Sequence, residues 1–173
     1  MSPAPADTDL RAYVGMGSNL GDRAGNLRLG VRGMLAANLR VARLSSVYET
    51  EPVGVADVQP AFLNMAAELT APLPPPEDLL SLLLDIERDC GRLRERPLEP
   101  RTLDLDLLLY GGELLATARL TLPHPRLHLR RFALAPLAEL APDAPHPALD
   151  RTIAELLAAT PERPHVRPWK PED

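Results

Sequence analysis

Cysteine and lysine are nearly absent from this chain of 173 residues, and each shortage excludes a kind of chemistry. Cys90 is the only cysteine, so the chain cannot form an internal disulfide, and a zinc site of several thiolates is not expected. Because no histidine lies near it in sequence, Cys90 is interpreted as a small core residue rather than a nucleophile. The only lysine is Lys170, which argues against P-loop and protein-kinase chemistry, since both need a lysine beside the phosphates.

Long hydrophobic runs and an excess of positive charge are also missing. No apolar stretch approaches the length of about 18 residues that a membrane-spanning helix needs. The segment 1–10 has neither the basic start nor the apolar centre of a secretory signal. The net charge is −5, which disfavours a general nucleic-acid or membrane surface. We expect neither nucleic acid nor a membrane as a partner, and we also expect a cytoplasmic monomer with a disordered leader at 1–10.

The order of predicted elements indicates an α+β fold. Strands are predicted at 11–17, 41–50, 61–70 and 102–110, and helices follow Asp22 and the prolines at 74–76. This order is typical of a ferredoxin-like antiparallel sheet with helices packed on one face. Extra C-terminal elements follow, including a helix at 152–160 with a capping box of Thr152 and Glu155. We predict a single domain over 11–160 and a loosely ordered tail at 161–173.

The most informative pattern is Arg-Thr-Leu-Asp-Leu-Asp at 101–106. Side chains alternate along a strand, so Asp104 and Asp106 share one face, with their backbones about 6.6 Å apart. Two carboxylates at this spacing repel each other unless a cation lies between them. Magnesium suits them because it takes carboxylate oxygens together with substrate phosphates. A charged strand face that only contacts solvent is the alternative, and the nearby arginines favour the metal site.

Two arginine-rich segments flank this strand. One is the 92–101 stretch, and the other runs from 119 to 132, where four arginines stand with His124 and His128 and without an acid. The planar arginine fork matches phosphate oxygens. For any single arginine a surface position is the better interpretation, but the two clusters together predict a polyphosphate site beside the metal.

An aromatic ring beside an amide is a further pattern that suggests a binding site, because only 3% of the residues in the chain are aromatic. Phe62 and Asn64 share one face of the third predicted strand. A ring and an amide so placed can stack on a flat heterocycle and hydrogen-bond its edge. A core phenylalanine beside an exposed asparagine is the alternative. The glycines at 15, 17 and 21 lack the spacing of a dinucleotide-binding motif, and we predict a tight turn there.

Taken in order, these segments resemble the family of 6-hydroxymethyl-7,8-dihydropterin pyrophosphokinases. The matching pieces are GMGSNLGDR, SSVYETEPVG, FLNMA, IERDCGRLR, PRTLDLDLLLYG and LPHPRLHLRRFALAPLAELAP, within residues 13–142. The resemblance implies transfer of the terminal diphosphate of ATP to the pterin hydroxymethyl group, with release of AMP, in folate synthesis. It also implies two magnesium ions.

The resemblance further implies roles for individual residues. Asp104 and Asp106 match the metal ligands and, with Arg92 and Arg101, the catalytic group. The positions expected to bind ATP are Glu87, Arg92, Arg94, Arg101, Leu107, Thr121, His124 and Arg130. The positions expected to bind the pterin are Thr50, Val53, Phe62, Asn64 and Phe132.

Two other classes of protein stay open at this point. A non-catalytic regulatory module of the same fold could bind a nucleotide through its arginines, although it would not need two aspartates on one strand face. An RNA-binding module is disfavoured because the sheet lacks the aromatic pattern of RNA-recognition motifs and the chain is acidic.

Overall fold

The computed structural model describes residues 7–51, 60–91 and 102–172, and the elements below lie in these ranges. The strands are β1 Arg11–Ser18, β2 Arg40–Leu44, β3 Tyr48–Thr50, β4 Phe62–Thr70, β5 Asp104–Tyr110, β6 Leu115–Ala116, β7 Thr121–Leu122 and β8 Val166–Pro168. The helices are α1 Arg23–Ala36, α2 Pro76–Asp89, α3 Arg131–Leu140 and α4 Ile153–Ala159, with short 3-10 turns at Asp7–Asp9 and Leu127–Leu129. Across the described ranges, no helix combines the length and the apolar character needed to cross a membrane.

The main sheet is antiparallel and has the strand order β5-β1-β4-β3-β8, with β2 also paired to β4. β2 and β3 together occupy the stretch that the sequence predicts as one strand. The break lies at Ser45, whose hydroxyl accepts a hydrogen bond from the Ala66 backbone at 2.8 Å. Counted as one interrupted strand, they give the ferredoxin-like arrangement in which the first and third strands lie at the centre. The predicted fold class is therefore confirmed.

The sheet buries both of its faces. On one face α1 and α2 pack over Val14, Met16, Leu63, Leu105 and Leu107, in the larger core. On the other face a second core joins Ala66 and Leu108 to α3 and α4. The two helices of the ferredoxin-like unit therefore share one face, as expected, and the extra C-terminal elements cover the other. The sequence did not predict α3 because Pro136 lies inside it and a proline in a helix interior usually breaks the pattern.

Local start and stop signals were predicted correctly. The Asp22 side chain accepts a hydrogen bond from the Gly25 backbone at 3.0 Å and caps α1. α2 begins at Pro76, and Gly91 follows its end with a φ of 82°. The capping box of Thr152 and Glu155 is present at the start of α4.

The segment predicted as a loosely ordered tail contains β8. This strand pairs with β3, and the Trp169 backbone beyond it donates to the Val47 carbonyl at 2.9 Å. Arg167 adds an ion pair with Glu49 at 3.0 Å. The prediction failed because three prolines close to this strand suggest irregular chain, whereas an edge strand tolerates proline.

Candidate active site

A row of three residues crosses the sheet at the middle of the site. Gly17 on β1 is the register partner of Asn64 on β4 and of Asp104 on β5. Directly paired residues of an antiparallel sheet share one face, and neighbouring strands lie about 4.8 Å apart. The amide expected to contact the pterin and a carboxylate expected to hold metal therefore lie about 10 Å apart on one surface.

Glycine keeps the surface between them open. A methyl group on Gly17 would lie only 3.0 Å from the Asn64 Oδ1 atom. Gly15, two residues earlier on the same face, is the partner of Asp106. The predicted tight turn at the glycines is therefore wrong for these two, which lie in β1, and Gly21, with a φ of 67°, is the turn residue. Sequence reasoning missed Gly17, although two glycines two residues apart in a strand predict one bare face.

The two aspartates have the alternation that the sequence predicts. Both are partly exposed, while Leu103, Leu105 and Leu107 between and beside them are buried in the larger core. The Arg130 guanidinium lies 3.8 Å from the Asp106 carboxylate. Within the described residues, no group of three or more acidic, histidine or cysteine side chains could hold a metal. Two carboxylates alone fit magnesium, which keeps several waters and takes substrate phosphates as further ligands.

Glu87 and Leu107, two of the positions expected to bind ATP, are both buried. The Glu87 side chain is 2% exposed, and its carboxylate accepts a hydrogen bond from the Leu105 backbone at 2.8 Å. It therefore holds β5 at the residue between the two aspartates. The Leu107 side chain is buried in the larger core, and its contact with ATP stays a prediction.

His124 is attached to the outer edge of β5. Its backbone N–H donates to the Leu108 carbonyl at 2.9 Å, and its ring Nδ1 accepts from the Arg126 backbone at 3.1 Å. Burial, and secondarily the positive charge of Arg130, lowers the pKa of His124 to about 4. The ring is therefore neutral near pH 7, with its proton on Nε2 as a donor. Thr121, the other predicted ATP contact nearby, is exposed on β7.

The start of α3 places a ring and a cation beside the aspartates. The Arg130 guanidinium lies over the Phe132 ring, 5.5 Å from its centroid, a distance at which cation and ring attract each other. Since Arg130 also faces Asp106, the partly buried Phe132 ring lies near β5. The structure thus brings together two residues that the sequence assigned to different substrates.

Asn64 is held by Thr50 on the neighbouring strand. The amide donates to the Thr50 hydroxyl at 3.0 Å, and both residues are buried. This bond fixes the orientation of the amide and leaves its oxygen and one N–H for another partner. Phe62 lies two residues earlier on the same face and is partly buried. The other predicted site residues, Val53, Arg92, Arg94 and Arg101, lie outside the described residues.

The chain matches the model of one protein family. Residues 13–142 match the family described as 7,8-dihydro-6-hydroxymethylpterin-pyrophosphokinase. The 2-amino-4-hydroxy-6-hydroxymethyldihydropteridine pyrophosphokinase of Bacillus subtilis is 44% identical over 160 residues, which cover 92% of this chain and 90% of that protein. The Pseudomonas aeruginosa protein of the same name is 43% identical and covers 87% of this chain and 92% of its own length.

Solved structures share the fold at low sequence identity. The Plasmodium falciparum HPPK-DHPS wild type with pteroate superposes with a TM-score of 0.69 at 13% identity. The match covers 86% of this chain and 44% of that longer chain, so it supports the fold alone.

Together these findings define the class of protein: the chain is a pyrophosphokinase, a transferase of folate synthesis. It belongs to the 7,8-dihydro-6-hydroxymethylpterin-pyrophosphokinase family. Its reaction is the transfer of diphosphate from ATP to hydroxymethyldihydropterin.

Proposed function

We propose that this pyrophosphokinase binds ATP through magnesium at Asp104 and Asp106 and binds the pterin at Asn64, on the other side of Gly17. The observation that carries the proposal is the row in which Asn64, Gly17 and Asp104 are register partners on one face. It supports two adjacent subsites because a flat molecule held at Asn64 can extend over bare glycine toward the carboxylates.

The pterin subsite is built from an oriented amide and aromatic rings. The Thr50 hydroxyl fixes the Asn64 amide, so the free amide atoms are positioned before a ligand arrives, and less ordering is needed on binding. Phe62 and Phe132 supply ring faces, each worth about 0.5–1.5 kcal/mol of stacking beyond its area burial. Thr50, Phe62, Asn64 and Phe132 therefore form the proposed pterin subsite.

The phosphate subsite is built from carboxylates, a guanidinium and a neutral imidazole. Two magnesium ions bound with ATP would neutralise the phosphate charge and hold attacking and leaving oxygens in line. Arg130, beside Asp106, adds a fixed positive charge, and the His124 Nε2–H is a neutral donor. Arg92, Arg94 and Arg101 are proposed as further phosphate ligands on the strength of the sequence alone.

A labelling experiment tests the type of transfer. Purified protein is incubated with magnesium, hydroxymethyl-dihydropterin and ATP labelled in either the β or the γ phosphate. We expect both labels to appear in the pterin product, AMP as the nucleotide product, and no transfer when a chelator removes magnesium. Formation of ADP, with only the γ label transferred, would contradict diphosphate transfer. Nucleotide binding without any product would favour the regulatory module.

A further inference from the structure

The chain between β2 and β3 is bonded to helix α3 as well as to the sheet. Ser45 stays with the sheet, because its backbone N–H donates to the Ala66 carbonyl of β4 at 2.9 Å. The next backbone N–H, that of Ser46, donates instead to the Glu139 Oε1 atom of α3 at 2.9 Å. The Ser46 hydroxyl donates to the same oxygen at 2.9 Å. The break between the two strands therefore directs two donors of one residue to a helix side chain.

The second carboxylate oxygen of Glu139 holds β3. The Tyr48 hydroxyl donates to the Glu139 Oε2 atom at 2.7 Å. Tyr48 is the register partner of Asn64 on β4, so the two side chains share one face of the sheet. Thr50, whose hydroxyl accepts from the Asn64 amide, lies two residues further along β3 on that face. Glu139 is therefore attached to the strand that orients the amide of the proposed pterin subsite.

The same helix carries a ring of that subsite. Phe132 lies in the first turn of α3 and Glu139 in the last. Because a helix rises about 1.5 Å per residue, the two residues are about 10 Å apart along it. The Leu140 carbonyl that follows accepts from the Arg43 side chain of β2 at 2.6 Å. The last turn of α3 is thus fixed to β2 and β3, and α3 connects the ring of the subsite with its amide.

Three donors meet a carboxylate that is ionised at pH 7. Burial raises the pKa of Glu139, but the hydrogen bonds from Tyr48 and Ser46 together outweigh it, so the pKa is lowered. Burial, and secondarily Glu139, raises the pKa of Tyr48 to about 12, so this phenol stays a donor. A single exposed ion pair contributes little, whereas Glu139, although exposed, accepts three charge-assisted bonds. The contact therefore keeps its charge state throughout the neutral pH range.

We propose that Glu139 is a positioning residue for the pterin, because it holds β3 against α3 and so fixes the spacing between the Asn64 amide and the Phe132 ring. A flat ring system must stack on one and hydrogen-bond to the other at once, and a displacement of about 1 Å is enough to weaken such a fit. Glu139 acts through Ser46 and Tyr48 and not by contact with a substrate. This role presupposes the pterin subsite proposed above.

Steady-state kinetics test the role, with pterin varied at saturating ATP and magnesium. Glu139→Ala removes the acceptor of all three donors and should raise the pterin KM about tenfold, while the turnover number and the ATP KM stay within about threefold of the parent. Glu139→Gln keeps an acceptor oxygen for Ser46 and should recover most of the pterin KM. Glu155→Ala is the matched control, because it breaks the capping box of α4, which lies in the same core as α3. It should lose stability and keep the parental pterin KM.

Nuclear magnetic resonance of the Asn64 side-chain amide tests the positioning without a substrate. Its ¹⁵N-bound proton signals in the labelled full chain are assigned by their loss in Asn64→Ala. They should shift in Glu139→Ala and, in the same direction, in Tyr48→Phe, which removes one of the three donors. They should stay at their parental positions in Glu155→Ala.

The outcomes separate this role from the pterin subsite itself. If Asn64→Ala weakens pterin binding while Glu139→Ala keeps the parental pterin KM or the parental Asn64 signals, the subsite stands and the positioning role is overturned. An equal rise of the pterin KM in Glu155→Ala would mean that a general loosening of the second core is responsible, and it would also overturn the role. Parental pterin binding in Asn64→Ala would overturn the subsite and the role together.

Discussion

At the scale of single residues, the proposed site depends on the missing side chain at Gly17 as much as on the polar side chains of its neighbours. Gly17 has no side chain where Asn64 and Asp104 meet it from both sides. His124 contributes a ring whose charge is suppressed by burial and by Arg130. The neutral state of His124 is not visible from the residue type, since it arises from packing across the strands.

Gly17→Ala should weaken pterin binding and leave ATP binding intact. The new methyl group would lie 3.0 Å from Asn64 Oδ1, and relieving such a contact costs about 1–3 kcal/mol, or roughly tenfold to a hundredfold in affinity. Calorimetric titration with pterin in the presence of a non-hydrolysable ATP analogue measures this loss of pterin affinity. Gly112→Ala is the matched control, because nothing lies within 4 Å of a methyl group there. Parental pterin affinity in Gly17→Ala would place the pterin elsewhere.

His124 should titrate far below an ordinary histidine. Its pKa is lowered from 6.5 to about 4, so between these values the unfolded chain binds more protons at this residue than the folded one. This contribution to the free energy of unfolding is therefore present above pH 6.5 and is lost as the pH falls toward 4. Imidazole resonances followed by pH titration should give the low midpoint, and His124→Gln should lose less stability over the same range. A midpoint near 6.5 would contradict the buried, neutral ring.

At the scale of elements, the short strand β3 connects the proposed pterin subsite to β8 near the end of the chain. Arg23 reaches Glu49 at 3.1 Å and the Ala61 carbonyl at 2.7 Å, and Arg167 of β8 binds the other oxygen of Glu49. These cations lower the pKa of Glu49, with the Arg167 hydrogen bond as the largest cause. The next residue, Thr50, holds Asn64. β8 therefore supports the proposed pterin subsite from the edge of the sheet.

Removing β8 should lower both stability and pterin affinity. A chain ending at Arg163 loses the pairing with β3 and the Trp169 hydrogen bond, at a net cost of about 0.5–1.5 kcal/mol for each hydrogen bond. A chain ending at Lys170 keeps β8 and serves as the control. Thermal unfolding and pterin titration measure the two effects. Equal unfolding temperatures for both truncations would show that β8 does not stabilise the sheet.

The contact between α2 and β5 can be tested through Glu87. Glu87→Ala leaves the buried Leu105 N–H without its acceptor, and an unsatisfied buried donor costs about 1–3 kcal/mol. Glu87→Gln keeps an acceptor oxygen, so chemical denaturation should show a smaller loss of stability for it than for Glu87→Ala. If Glu87 acts through β5, Glu87→Ala should also raise the magnesium requirement for catalysis. If both variants are as stable as the parent, this hydrogen bond has no role in holding the metal strand.

At the scale of the whole molecule, local sequence patterns predicted the strands and helices of the ferredoxin-like unit. Packing between distant segments determined the remaining elements. The two-faced arrangement of β4 and β5, the cap at Asp22 and the stop at Gly91 depend on neighbours in sequence, and these predictions were confirmed. α3, β8 and the position of Gly17 depend on contacts between segments far apart in the chain, which periodicity does not report. The aspartate pair could be proposed from the sequence because its pattern is local.

The second core explains why the site lies where it does. α3 and α4 cover the sheet face that carries Ala66 and Leu108, and Asp104, Asp106 and Asn64 lie on that same face by strand alternation. The start of α3 brings Arg130 within 3.8 Å of Asp106. The C-terminal elements thus complete a site that the ferredoxin-like sheet begins.

The most direct test of this account is the rate of AMP formation as a function of magnesium in Asp104→Asn and Asp106→Asn. Each change keeps the size of a partly exposed side chain while removing a charged ligand, so circular dichroism should stay unchanged. The rate should fall at least about a hundredfold at any magnesium concentration. Asp85→Asn, in an exposed ion pair on α2, should keep the parental rate. Near-parental rates in both aspartate variants would contradict the metal site and the mechanism built on it.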